Sequence, residues 1–348
     1  MNTVTYQIEE IDAKETDAAI TYAADVLRRG GLVVFPTETV YGLGGNALDP
    51  AASAKIYAAK GRPSDNPLII HIADPKDAEA YTYTDPLYDS LTEHFMPGPL
   101  TVIMEARDNV PREVRAGLPT VAVRCPAHPL ANRLIRAAGV PIAAPSANLS
   151  GKPSPTEGRH VRADMDGRVD VILDGGAASI GVESTIVKIE KDGGLLLLRP
   201  GGITVDDLRA VCPDIRVADA VTGALKEGQT VLSPGMKYRH YAPDAPLFLL
   251  DGDTEARIAY VKNAKGRVAV LSYREELPLL SDRDDLILLD VGGRQDTATQ
   301  AHRLFSLLRD ADALSPDVIF APLPSMEGMG LALYNRMIRA AAHQILKL

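Results

Sequence analysis

Apolar residues in this chain come in short runs of a few positions, separated by amphipathic stretches and by turns rich in glycine, proline, aspartate and asparagine. Short buried-strand patterns alternating with helical ones predict an α/β protein. The first helix is expected over Asp17–Arg29, closed by Gly30 and Gly31, with a strand over Leu32–Phe35 behind it. Asp49–Pro50 reads as an N-cap with proline in the first turn, and the helix runs to Lys60, where Gly61 ends it. Leu68–Ile72 reads as a central strand, and Asp74–Pro75 opens another helix. Further strands are expected over Leu100–Met104, Val121–Arg124, Val140–Ala144, Val169–Leu173, Ser184–Ile189 and Leu195–Arg199. A helix over His128–Ala138 falls among them, and Thr204 caps the last helix of this half.

Residues 213–245 change character, with few apolar runs and bracketing prolines and glycines, as in a linker. Beyond them, strands over Leu247–Leu250, Val268–Leu271, Leu286–Leu289 and Val318–Ala321 alternate with helices near Thr254–Asn263, Asp296–Arg309 and Gly330–Leu346, the pattern of a small doubly wound domain. The expected organisation is a mixed-sheet α/β domain over 1–212, a linker or lid over 213–245 and a Rossmann-like α/β domain over 246–348.

Composition narrows the function. The net charge of −9 argues against a surface built for nucleic acid, though not against a basic pocket. No apolar run reaches the ~18 residues of a membrane span, and the first ten residues lack the pattern of a signal peptide. The two cysteines, Cys125 and Cys212, have neither zinc-site nor disulfide spacing, which fits a reducing cytoplasm.

Polar residues gather at the expected strand ends: Thr37 and Thr39, Lys60 and Arg62, Asn66, His71, Thr120, Arg124, Ser146 and Asn148, Ser184 and Arg199. Each has an ordinary reading: charges at a helix end, turn formers, a surface ion pair, a core histidine. Together, four cations among short neutral hydroxyls and amides suit a polyphosphate and a small zwitterion. The P-loop, H-E-x-x-H, C-x-x-C and G-x-S-x-G patterns are absent. Gly42–Ala47 matches a dinucleotide fingerprint in letters, but six residues separate it from the preceding strand; its glycines are expected to allow close backbone packing instead.

Several stretches, in order, resemble the threonylcarbamoyl-AMP synthase family: P-T-E-T-V-Y-G-L, K-G-R-P-S-D-N-P-L-I-I-H, P-G-P-L-T, S-A-N-L-S-G, G-V-E-S-T-I-V and R-P-G. The first half resembles its YrdC-like catalytic domain, and S-P-G-M-K-Y-R-H-Y-A-P with the α/β tail resembles its two-domain form. The resemblance implies a nucleotidyltransferase that joins L-threonine, bicarbonate and ATP into threonylcarbamoyl-AMP for tRNA modification. It implies ATP contacts at Lys60, Arg62, Asn66, Thr120, Ser146, Asn148, Ser154, Arg199 and Tyr241, with Lys60 and Arg62 acting in catalysis. It implies threonine contacts at Thr39, His71, Arg124, Ala144 and Ser184. Mg2+ is expected to arrive with ATP, without a dedicated protein site. A downstream tRNA threonylcarbamoyl-transferase complex is a possible partner, and neither a membrane nor stable nucleic-acid binding is expected.

Two other readings stay open. One is an RNA-binding module using a cationic concavity, although no aromatic ladder supports it. The other is a carbamoyl-adenylate enzyme acting on another amine. Ser233–Pro243, with Tyr238, Arg239, His240 and Tyr241 between proline-bearing flanks, is expected to act as a lid.

Overall fold

The structure is a computed structural model that describes residues 2–223 and 240–348. Its described residues divide into two compact units. The first holds the chain up to Gly223 apart from Gly151–Pro153 and Ile180–Val182; those two stretches join the chain from His240 onward in the second. Most of the stretch expected to be a lid, residues 233–239, lies outside the described residues.

The first unit runs β1 Val4–Gln7, α1 Lys14–Arg28, β2 Val33–Phe35, β3 Gly42–Asn46, α2 Pro50–Lys60, β4 Ile69–His71, α3 Pro86–Phe95, β5 Leu100–Glu105 and β6 Thr120–Arg124. It continues with α4 Pro129–Ala138, β7 Ile142–Ala143, α5 Gly158–Met165, β8 Val171–Asp174, β9 Thr185–Ile189, β10 Leu195–Arg199, α6 Val205–Val211 and β11 Ile215–Val217. Eleven strands form one mixed sheet in the order β1-β8-β2-β3-β7-β4-β6-β5-β9-β10-β11. The mixture is visible at its centre, where β7 runs antiparallel to both β3 and β4 while β4 and β6 are parallel.

Local signals explain α2 well. The Asp49 side chain accepts from the Ala51 N–H at 2.9 Å, Pro50 fills the first turn, and Gly61 ends the helix in the left-handed region at φ 61°. Other elements differ from expectation. Gly42–Asn46 is a strand, not merely a tight loop, and its glycines answer to packing. A Cβ on Gly44 would lie 2.7 Å from Ile142 Cγ2 and 2.8 Å from Phe35 Cε1, so only hydrogen leaves room for those core side chains. The Asp74–Pro75 signal opens a 3-10 turn over Pro75–Ala80 rather than an α-helix. Ile215–Val217, inside the stretch expected as linker, is the edge strand parallel to β10.

Two core clusters cover one sheet face. Val33, Phe35, Ile142, Ala144, Val171 and Leu173 pack with α1 and α4, while Ile69, Ile103, Ala122, Ile186 and Leu198 pack with Ala220. Side chains alternate across a strand, and register carries the face from strand to strand. His71 pairs with Arg124 and Ile142, Ile69 with Ala122, and Thr101 with Ile186. His71, Arg124, Thr120 and Thr101 therefore share the face of both clusters.

The second unit holds β12 Leu247–Asp251, α7 Thr254–Asn263, β13 Val268–Ser272, β14 Ile287–Asp290, α8 Thr297–Ala313, β15 Val318–Pro322, α9 Gly330–Ala340 and β16 Ile345–Lys347. Its five strands are all parallel, in the order β14-β13-β15-β12-β16, a doubly wound sheet as expected. The last helix is shorter than Gly330–Leu346: it stops at Ala340, Ala342 and His343 turn at positive φ, and β16 pairs with β12. Helical periodicity could not report the ladder partner that captures Ile345–Lys347.

Candidate functional site

Lys60 ends α2 and is buried. Its Nζ donates to the Ser146 carbonyl, to the Asn148 carbonyl at 2.5 Å and to Asn148 Oδ1 at 3.2 Å. Ser146 Oγ donates to the same Oδ1 at 2.6 Å, and the Lys60 carbonyl accepts from Ser150 N–H at 2.9 Å. The K-x-R and S-x-N stretches are thus tied together, although their lysine and asparagine stand 88 positions apart. Arg62 Nη2 reaches back to the carbonyls of Asn66 and Pro67, at 3.3 and 3.1 Å. The Tyr57 hydroxyl also donates to the Asn66 carbonyl, at 3.0 Å, and burial pushes that phenol up to about 12. Asn66 is held by its backbone while both polar atoms of its buried side chain lack a hydrogen-bond partner among the described residues. A buried amide left unpaired costs roughly 1–3 kcal/mol, so the position reads as one prepared for a ligand.

The second group surrounds Arg124. Its Nη2 donates to Glu38 Oε1 at 2.6 Å and its Nε to the Gly98 carbonyl at 3.4 Å. Both partners of this ion pair are buried. Burial works against the Glu38 charge, but the Arg124 guanidinium, its hydrogen bond and the Ala127 N–H offset it, holding the carboxyl below the usual carboxylate range. Burial and the Arg124 charge hold neighbouring His71 down to about 3, so its imidazole is neutral, and its buried Nδ1 has no hydrogen-bond partner among the described residues. Cys125 next door is no nucleophile: burial and nearby carboxylates push its thiol up to about 12.

Hydroxyls flank this pair. Thr37 donates its only hydroxyl proton to the Val40 carbonyl at 2.6 Å, so in the 2.8 Å contact between Thr37 and Thr39 it is Thr39 that donates. The Thr39 oxygen keeps its lone pairs for an incoming N–H. Ser184 Oγ lies 2.8 Å from Thr101 Oγ1 and accepts from Arg199 Nη2 at 3.1 Å, while Arg199 Nε donates to the Ser184 carbonyl at 3.0 Å. Arg199 and Ser184, expected on different substrates, are therefore direct neighbours. Ser154 donates to buried Glu183 at 2.5 Å. The Ala144 N–H is spent on the Ile69 carbonyl at 2.9 Å, and Thr120 opens β6 half-buried.

Tyr241, also expected at the nucleotide, is described within its own unit. It belongs to the second unit, where its ring packs 5.1 Å from that of Phe305.

Sequence reasoning assigned no role to Glu38, Glu183 or Thr101. The first two sit inside the stretches P-T-E-T and G-V-E-S-T, and an acid within an otherwise small, uncharged run was the available signal. Among the described residues, no group of three His, Cys, Asp or Glu side chains could hold a metal ion, and no helix is long and apolar enough to cross a membrane.

A family model described as telomere recombination, covering Sua5, YciO and YrdC proteins, matches residues 25–201. A model described as threonylcarbamoyl-AMP synthase, C-terminal domain, matches residues 203–342. The chain is 45% identical to a threonylcarbamoyl-AMP synthase of Bacillus subtilis, with 100% of both chains covered. It is 44% identical to one from Pyrococcus abyssi, over 94% of this chain and 95% of the relative. The crystal structure of P. abyssi Sua5 complexed with L-threonine superposes with a TM-score of 0.87 at 41% identity, covering 100% of each chain.

Proposed function

This chain belongs to the threonylcarbamoyl-AMP synthase family, and we propose that it is an enzyme that condenses L-threonine, bicarbonate and ATP into threonylcarbamoyl-AMP, releasing pyrophosphate and water. The observation that carries this reading is the pair of prepared groups at the two ends of β4. Before it, Asn66 offers an unspent amide beside Arg62; at its end, a neutral imidazole stands beside the buried Arg124. Asn66 and His71 are five positions apart, so at most about 16 Å of chain separates them, within the reach of a triphosphate with an amino acid at its reacting end.

Arg124 forks onto the threonine carboxylate and Thr39 accepts from the amine, with His71, Ser184 and the Ala144 backbone lining the remainder. The uncharged amine attacks the carbon of bicarbonate or CO2, forming a C–N bond; where bicarbonate reacts, water leaves, and where CO2 reacts, the nitrogen releases a proton to solvent. A carbamate oxygen then attacks the α-phosphorus, and the bond to pyrophosphate breaks. No covalent enzyme intermediate is required; the work is positioning and charge stabilisation. Lys60 and Arg62 serve the developing phosphate charge, with Asn66, Thr120, Ser146, Asn148, Ser154 and Arg199 holding ATP. Mg2+ travels as part of the ATP substrate. A cytoplasmic setting and a downstream tRNA threonylcarbamoyl-transferase complex belong to the same proposal. Pyrophosphate release measured with each amino acid, with and without bicarbonate, tests it: release should require threonine and bicarbonate together. Release indifferent to both would refute it.

A further inference from the structure

Arg124 comes from the end of β6 and Glu38 from the loop after β2, 86 positions earlier, so only the folded sheet brings the two together. A guanidinium is planar and offers two forks: a side edge formed by Nε with Nη2, and an end formed by Nη1 with Nη2. The protein occupies the side edge. Nε donates to the Gly98 carbonyl at 3.4 Å and Nη2 to Glu38 Oε1 at 2.6 Å. Nη1 donates to none of the described residues, and it is not sealed from solvent, although Arg124 as a whole is only 4% exposed. The end of the guanidinium is therefore the fork left for a ligand.

The two groups that hold the side edge are themselves fixed. Gly98 N–H donates to the carbonyl of Cys125, the residue after Arg124, at 2.8 Å. Glu38 is held at both oxygens, because Oε2 accepts from the Ala127 N–H at 3.2 Å while Oε1 accepts from Arg124. Two acceptors are needed at this position, and that selects a carboxylate. A glutamine in the same place accepts at one atom only and must turn its NH2 toward either the guanidinium or the Ala127 N–H, donor against donor. An aspartate keeps both acceptors but ends one methylene short of the guanidinium.

We propose that Glu38 is a positioning residue: by holding the side edge of Arg124, together with the Gly98 carbonyl, it turns the Nη1–Nη2 fork toward the substrate and makes the site select ligands with a free carboxylate. Glu38 acts through Arg124 and touches no substrate atom. The role rests on the reading of Arg124 as the partner of the threonine carboxylate.

Glu38→Gln in the full chain tests this, read by calorimetry with L-threonine and with L-threoninamide, which keeps the amine, hydroxyl and methyl but has no carboxylate. The parent should prefer threonine by about tenfold or more. In Glu38→Gln, threonine should weaken by about tenfold or more while threoninamide stays within about threefold, so that most of the preference is lost. At saturating threonine, pyrophosphate release should stay within about threefold of the parent rate, a rise in KM without a matching fall in kcat. Should circular dichroism show that Glu38→Gln does not fold, Glu38→Asp takes its place and should give the same pattern with a threonine loss of about threefold or more. Threonine binding a folded variant as tightly as the parent overturns the role. So does threoninamide weakening in step with threonine, which would put Glu38 on the substrate amine or in the scaffold alone. A parent chain that binds no threonine would instead refute the reading of the first unit from which this role follows.

Discussion

Arg124 can be removed in two ways that separate its roles. Arg124→Ala leaves the Glu38 carboxylate buried without its guanidinium, keeping backbone hydrogen bonds such as the 3.2 Å one from Ala127 N–H. Breaking a buried ion pair from one side costs about 3–5 kcal/mol, a large share of the stability of an ordinary domain. The single variant therefore mixes a folding defect with any loss of substrate binding. In Arg124→Met with Glu38→Leu, both charges go and similar volumes remain, so stability should return to within about 1–2 kcal/mol of the parent. If the guanidinium also holds the threonine carboxylate, the double variant should still lose the ~2–5 kcal/mol of a buried charged hydrogen bond to substrate. That is a rise in the threonine KM of about 30-fold or more, with the ATP requirement nearly unchanged. Urea unfolding gives the first quantity and pyrophosphate release at varied threonine gives the second. A stable double variant whose threonine KM stays within a few-fold of the parent would make Arg124 a structural residue and refute the assignment.

Lys60→Ala and Arg62→Ala should each lower turnover by about 100-fold or more. Lys60→Ala should in addition cost about 1–3 kcal/mol, because carbonyls of the Ser146–Asn148 loop lose their donor; near-normal turnover alongside lower stability would leave these residues as helix-end charges only. His71 has a depressed folded value, so the unfolded chain binds the proton first, and the stability this group contributes is full above pH 6.5 and lost as pH falls toward 3. Melts should show a slope approaching about 1.4 kcal/mol per pH unit between roughly pH 6 and 4, reduced in His71→Gln; an identical slope in that variant would show that another group is responsible. Gly44→Ala should destabilise by about 1–3 kcal/mol through overpacking on Ile142 and Phe35, with Phe35→Leu recovering part of the loss; a neutral effect on the melting temperature would mean the core yields there.

Much of the fold was legible because its signals are local. The Asp49 cap, the Pro50 first turn and the Gly61 terminus specify α2 within a dozen residues, and the Thr204 capping box does the same for α6. The glycine strand Gly42–Asn46 was not legible as a strand: it has almost no side chains to alternate, and its pairing with β2 and β7 supplies what its composition lacks. The end of α9 failed for a similar reason, since its final residues are claimed by a distant strand.

The candidate site divides in the same way. Residue types and their order along the chain suggested a common chemical purpose for Lys60, Arg62, Asn66, His71, Arg124, Ser146, Asn148, Ser184 and Arg199, because cations beside short hydroxyls and amides are a property of composition. Tertiary structure alone decided which of them touch. It tied Lys60 to the Ser146–Asn148 loop, put Arg199 on Ser184, and paired Arg124 with a glutamate 86 positions away. It also set charge states: His71 is neutral and Glu38 ionised because burial and one guanidinium act on both. Local sequence carries propensity and chemistry, whereas desolvation and hydrogen-bond partnership depend on what the folded sheet brings alongside.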